Sequence, residues 1–428
     1  MLIERGSGTS RRMPTFVDTN SFVSHPARVT IRHVQLRDLV WKTANLHEVL
    51  YVSERAVKTI DTDTGKTAQC AEFPFQPLCL TSAFGIVAAG GVRRGQLGIT
   101  YRRPEEDAGN RVDLPVTMIE LGGYVNNSIT LFSPGAASVS ALVCNNDHTL
   151  RMLDINDSSY TVIDTLQLPV PLNHASISPD RKSIIACGDS AQLFVFHPEE
   201  RKRSNEASDE ATRVDSLPPL KWTRTATLAT SADAGFSTAF SPSGVLFAVA
   251  SQDGLASIYD SRYLSASLSS TSLSTRNVPK PMKYIESTRP HEIPGAFRCL
   301  KFSTGQENLL LISEQMDRIH VVDTRRFEDR QILDISNTVN DPIRSMRRRQ
   351  DSSGNDNSSP SGSVSGPRSG PSDCSTDSHP QRLHMGMTVD SSRLSPKGIS
   401  GIAWSDEEIG SVIVGWDSGI GKWTVDRS

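Results

Sequence analysis

The chain has 428 residues, 45 basic against 48 acidic side chains, a formal net charge of −3 and 37% hydrophobic residues. So balanced a charge excludes whole-surface attraction to polyanions, and neither nucleic acid nor a membrane is expected as a partner. The longest apolar run, LCLTSAFGIVAAGGV, is too short and Gly-rich to span a bilayer, and the opening MLIERGSGTSRR lacks the apolar core of a secretory signal.

Taken in chain order, residues 1–26 read as a tail, and ARVTIRHVQL (27–36) as a strand-like run that opens a first unit, about 27–66, containing EVLYVSERAVKTID. A second unit, about 76–120, holds GIVAAGG and QLGITYRR but lacks an aspartate in its turn. Units at about 127–168, 172–229, 235–264, 291–333 and 398–426 share one grammar: a strand, a turn, a strand, an acidic turn and a further strand. The acidic turns carry Asp147, Asp189, Asp253, Asp317 and Asp417, and the closing strands end at Asp154, Asp260, Asp323 and Asp426. Low-complexity insertions at 199–219, 265–285 and 335–397 lengthen the spacing, and subtracting them restores a period of about 40 residues. The seventh unit supplies three strands and lacks a fourth, and the run at 27–36 is a strand-like stretch assigned to no other strand of the units.

Repeats of this kind fit an all-β propeller, in which stacked antiparallel sheets bury faces that none could bury alone. The Phe-Ser-Pro, turn-aspartate and terminal-aspartate marks resemble the blade signature of WD-repeat β-propellers, although Trp416-Asp417 is the one literal Trp-Asp pair and sits in a turn. More narrowly, FRCLKFSTGQENLLLISEQMDRIHVVDTRRF (297–327) resembles a signature of a fungal WD-repeat family of unknown function. The resemblance implies a ring of blades, here seven, and since a ring must close, the run at 27–36 is expected to complete the seventh blade as an N-terminal closing strand. It also implies that a histidine before a blade's first strand bonds the turn aspartate, a place that His291 holds in unit six.

Carboxylates in tight turns accept backbone N–H bonds, so the five turn aspartates are read as structural rather than catalytic. No HExxH, GxSxG, phosphate-binding loop or Cys/His metal spacing is present. Enzyme activity, a metal and a cofactor are therefore not expected. Cys79, Cys144, Cys187 and Cys299 lie in apolar runs, where cysteine acts as a small hydrophobe, and reduced thiols point to the cytoplasm, with the nucleus also open.

What remains is protein binding by a monomeric scaffold with partners of unknown identity, its loops carried on a rigid disc. DGLASIYDSR and MDRIHVVDTR, on adjacent units, both end in Asp-x-Arg. That ending resembles the motif by which WD-repeat substrate receptors dock on a cullin–RING ubiquitin-ligase adaptor, which would make Arg262 and Arg325 docking residues; local ion pairing is the alternative. Between 351 and 380 eleven of thirty residues are serine, a composition that predicts disorder. Arg347–Arg349 precede Ser352 at a spacing that suits basophilic kinases, and Ser359 and Ser395 precede prolines. These serines are expected phosphosites, or else incidental features of a solvated loop; RKR at 201–203 and the arginines at 347–349 are candidate import signals.

Overall fold

A computed structural model describes residues 15–102, 115–135, 138–156, 159–199, 221–264, 279–290, 295–305, 308–339, 396–405 and 410–426. The described strands form seven four-stranded antiparallel sheets arranged as the blades of a propeller. Blades one to six take their strands in chain order within residues 40–72, 79–120, 126–167, 172–229, 235–286 and 297–334. Blade seven combines Ile399–Ser405, Ser411–Trp416 and Gly419–Thr424 with Val23–Pro26, which pairs antiparallel to Gly419–Thr424 and closes the ring. Residues 336–395 belong to a second unit, described only over 336–339.

Burial follows position within the blade. Second strands such as Ile86–Gly90, Ile184–Gly188, Leu309–Glu314 and Ser411–Trp416 are buried along their whole length. Neighbouring blades cover both their faces, so these strands read as continuous apolar runs rather than alternating ones. The apolar cores lie between blades: Leu97, Ile119, Ile129 and Leu153 join blades two and three, while Ile258, Ile285, Leu300 and Ile312 join five and six. Each such buried side chain contributes about 1.5–3 kcal/mol relative to exposure. Fourth strands face water, and Lys283–Glu286 buries Ile285 alone.

The ring-closing strand is Val23–Pro26, and the run 27–36 is not a strand. Pro26 has no N–H to donate and ends the pairing. Beyond it Ala27 and Val29 are buried in the core of blades one, two and seven, so their alternation reflects one-sided burial of an extended segment and not membership of a sheet. The Thr30 N–H bonds the Val52 carbonyl, which belongs to blade one.

Two further boundaries differ. Lys283–Glu286, expected at the edge of an insertion, is the fourth strand of blade five, held to Leu255–Asp260. One buried residue among polar neighbours leaves almost no periodic signal in the sequence. Ile335–Val339 is a short helix rather than low-complexity chain, with Ile335 buried. The rest of the Ser-rich segment, 340–395, lies outside the described residues, as do 200–219 and 265–278.

Candidate functional site

Five of the seven innermost strands carry a β-bulge near their start, which breaks the register around Asn127, Asn173, Phe236, Arg298 and Ser400. A bulge leaves one residue unpaired and re-aims its side chain. Here the bulged residues link neighbouring blades at one mouth of the central channel. The Asn127 amide donates to the Leu172 carbonyl at 2.7 Å, and Asn173 donates to the Gly235 carbonyl at 2.9 Å. Next in the series, the Arg298 guanidinium lies 4.2 Å from the centroid of the Phe236 ring. Isolated residues such as the Arg in FRC carry no bulge signature in the sequence, so this ring was not legible there.

The segment following the ring-closing strand returns to the same mouth. Gln35 joins Asp189, Ser190, Asp233, Phe236 and Gln252 in lining a cleft of about 360 Å³ beside blades four and five. Two residues later the Arg37 carbonyl accepts the Cys299 thiol of blade six at 3.1 Å, and the Leu39 N–H bonds the Ser400 carbonyl of blade seven. Residues 35–39 thus bridge the mouth from one side of the ring to the other.

The turn aspartates have distinct environments. Asp147 accepts the Thr149 N–H and hydroxyl and pairs with Arg151 at 2.5 Å. Burial works to raise its carboxyl, but the Arg151 and Thr149 bonds outweigh it and hold it below the usual range. Asp189 accepts the Asn173 amide at 3.0 Å, Asp253 accepts the Ala232 and Leu255 N–H groups, and Asp417 accepts the Ser418 hydroxyl. Asp317 adopts φ +60° and accepts the Lys397 N–H at 2.5 Å, tying blade six to the chain that enters blade seven.

His291 lies outside the described residues; the polar cluster of blade six is built from other groups. The fully buried Glu314 carboxylate receives Ser287 Oγ at 2.8 Å, the Arg289 guanidinium, and His320 Nε2 at 2.9 Å. No sequence signal singled out these residues, because Glu314 ends an otherwise apolar strand and its partners come from a loop and from the next strand.

Inside the channel, His174 Nδ1 lies 2.9 Å from the Thr238 hydroxyl and accepts the Thr238 N–H at 3.3 Å, while Lys301 pairs with Asp38 and covers the Trp41 ring. Burial, then the Lys301 charge, pushes the His174 imidazole from 6.5 down to about 3. A depressed histidine contributes stability that is complete above its unfolded value and lost as pH falls toward its folded one. Lowering pH from 7 to 4.5 should therefore reduce the urea midpoint more in wild type than in His174→Asn, which can accept the same bonds without titrating. Equal reductions would remove His174 from the acid response.

Arg262 and Arg325 occupy matching positions on blades five and six. Arg262 forks onto Asp260 through Nε at 2.9 Å and Nη2 at 2.5 Å, and Arg325 onto Asp323 at 3.0 and 2.9 Å. The arginine side chains are 73% and 65% exposed, whereas both aspartates are 8% exposed. Local ion pairing, the alternative read from the sequence, is thus present in both. Ser352, Ser359 and Ser395 lie outside the described residues, as do both candidate import signals.

Cys79, Cys144, Cys187 and Cys299 are buried free thiols, and burial pushes Cys79 and Cys144 up to about 12, far from thiolate chemistry at neutral pH. Among the described residues no group of three or more His, Cys, Asp or Glu side chains could hold a metal ion. No described helix is long and apolar enough to cross a membrane.

The pattern of an uncharacterised protein domain, DUF2415, matches residues 295–334, which hold the whole of blade six. The uncharacterised protein YLR149C of Saccharomyces cerevisiae is 26% identical over 415 residues, covering 74% of this chain; the chain spans 55% of that longer protein. The uncharacterised protein C4G3.03 of Schizosaccharomyces pombe is 31% identical over 319 residues, covering 72% of this chain and 78% of its own length. The chain, itself a β-propeller, therefore belongs to a family of fungal proteins that includes the uncharacterised protein C4G3.03 of fission yeast.

Proposed function

We propose that the protein is a non-catalytic scaffold that binds other proteins through the outer rim of blades five and six. The β-propeller is commonly a protein-interaction platform, and recognition concentrates on loops and edges held by a rigid scaffold. The observation that carries the reading is the concentration of exposed large apolar side chains on blade five: Val245, Tyr263, Met282 and Tyr284, with Arg262 next to Tyr263. Tyrosine, methionine and arginine are the residue types enriched at protein interfaces. Tyr284 stands on the outermost strand, where no further sheet covers it. Phosphorylation of Ser352, Ser359 and Ser395 would regulate this binding by adding negative charge to the segment that follows blade six in the sequence.

A second reading rests on the matched forks of Arg262 and Arg325. Guanidinium groups held rigidly by their own aspartates, one on each of two adjacent blades, would suit docking on a ubiquitin-ligase adaptor, making the protein a substrate receptor of a cullin–RING ligase. Quantitative affinity purification separates the two. The scaffold reading expects Tyr263→Ala/Tyr284→Ala to lower recovery of the main partners at least fivefold. The receptor reading expects Arg262→Ala/Arg325→Ala to remove ligase components selectively. Equal recovery of every partner by wild type and the tyrosine pair would sink the scaffold surface, and ligase components absent from wild type, or undiminished in the arginine pair, would sink the receptor role.

A further inference from the structure

We propose that Arg298 and Arg37 form an oxyanion-binding site at the channel mouth, one that takes a single carboxylate or phosphate group. Arg298 is 4% exposed and Arg37 is 7% exposed. Arginine cannot shed its charge at physiological pH, so burial there calls for a compensating anion. Neither guanidinium hydrogen-bonds a carboxylate in the contacts it makes, and Asp233 acts on Arg298 only through its charge from farther off. Arg298 gives Nε and Nη2 to the neutral Gln315 carboxamide at 3.2 and 2.6 Å, and Arg37 gives Nη2 to the Val34 carbonyl at 3.0 Å. Arg298 Nη1 and Arg37 Nε are buried without an acceptor. An unsatisfied buried donor costs about 1–3 kcal/mol, and more on a charged group. Two such donors on like-charged neighbours describe a site that is complete when an oxyanion occupies it.

The charges behave accordingly. Burial, then the nearby Arg37 charge, lowers the Arg298 guanidinium to about 10, and burial lowers Arg37 as well. His33, on the same bridging segment, is depressed by burial and then by Arg37 and Arg298. Three basic groups thus sit at one mouth, opposed from farther off by Asp189, which acts on His33, and Asp233, which acts on Arg298.

The surroundings restrict the ligand. Phe236 lies against the Arg298 guanidinium and also lines the 360 Å³ cleft, so one side chain touches both the arginine and the cleft. Asp189 and Asp233 line the same cleft and repel anions from it, extended polyanions most strongly, which favours a small ligand whose one anionic group lies at the arginines. Gln252 also lines the cleft, and its Oε1 is buried without a donor. A ligand with an O–H or N–H beside its oxyanion would satisfy that acceptor too.

Equilibrium dialysis and thermal melting of the full chain test the site with inorganic phosphate and, separately, acetate, at an ionic strength held constant with chloride. Wild type should bind at least one probe saturably with one-to-one stoichiometry and melt higher with it. Binding of phosphate alone assigns a phosphate-bearing ligand, and binding of acetate alone a carboxylate. Arg298→Met and Arg37→Met should each weaken binding at least tenfold, and in chloride buffer free of phosphate and acetate Arg298→Met should melt no lower than wild type, because a buried unpaired charge has been removed. If one variant fails to fold, the other carries the test. Absence of saturable binding of both probes by wild type overturns the proposal. So does undiminished binding in a folded variant, which would assign the arginines to bracing Gln315 and the bridging segment alone.

Discussion

Deletion of residues 15–26 is expected to abolish cooperative folding of the whole ring rather than trim a tail. The strand Val23–Pro26 makes four register pairs with Gly419–Thr424, and the chain before it adds a bridge between Val17 and Val425. The Gln331 side chain of blade six accepts the Phe16 and Val17 N–H groups at 2.8 and 2.9 Å and returns a bond to the Val17 carbonyl. Removing the segment therefore exposes the third strand of blade seven and strips blade six of a neighbour. A propeller avoids free sheet edges by closing, so an opened ring presents an unpaired edge prone to association. The milder variant Phe22→Ala isolates the packing contribution. Phe22 is buried, its ring 4.4 Å from that of Trp423, and it packs where any side chain at Gly421 would collide with it. Truncation of a buried phenylalanine costs about 3–5 kcal/mol, which should appear as a clear drop in the urea midpoint with most of the fold retained. A deletion variant that melts like the full chain would refute this account of closure.

Glu314→Gln should be the most damaging single substitution in blade six. The carboxylate is fully buried, and it holds Arg289, His320 and Ser287 around it. Burial works to raise its carboxyl, but the bonds from His320 and Arg289 outweigh this and keep it below its ordinary value. Removing one partner of a buried pair strands the other charge at a cost of about 3–5 kcal/mol. Arg289 would keep only the more distant Asp317 carboxylate at 3.9 Å, so the loss should fall at or below the low end of that range. Changing Arg289 to Met in the same chain should recover part of that loss, since the poorly compensated guanidinium disappears. A loss below about 1 kcal/mol would mean that water already screens the cluster. The pH response has a definite sign. Glu314 is depressed, and burial also depresses His320 despite its bond to Glu314. Both contributions are complete above the unfolded-state values and lost as pH falls through the folded ones, so blade six should weaken on acidification and not in alkali.

Much of the ring was legible in the primary structure because propeller blades bury their second strands on both faces. Runs such as LLLISE and SVIVGW have no other economical explanation, and their recurrence pointed to seven units. The outer strands were harder for the same reason reversed: Lys283–Glu286 buries a single side chain and leaves no pattern to read. The run 27–36 shows a different failure. Its alternation correctly reports an extended segment with one buried side, but burial does not say where the backbone bonds go, and only the folded ring places the pairing at Val23–Pro26.

The candidate sites divide along the same line. Asp-x-Arg is a local relation, so the forks of Arg262 on Asp260 and Arg325 on Asp323 could be anticipated from residues two apart. Arg37 and Arg298 are 261 positions apart in the chain. Nothing local marks either one as buried, or as lacking a hydrogen-bonded carboxylate. Composition and periodicity by themselves determined an all-β ring of repeated sheets with near-neutral charge. Which loops meet at the channel mouth, and which charges are left there without partners, was decided by ring closure, because only closure brings residues 35–39 across the blades they touch.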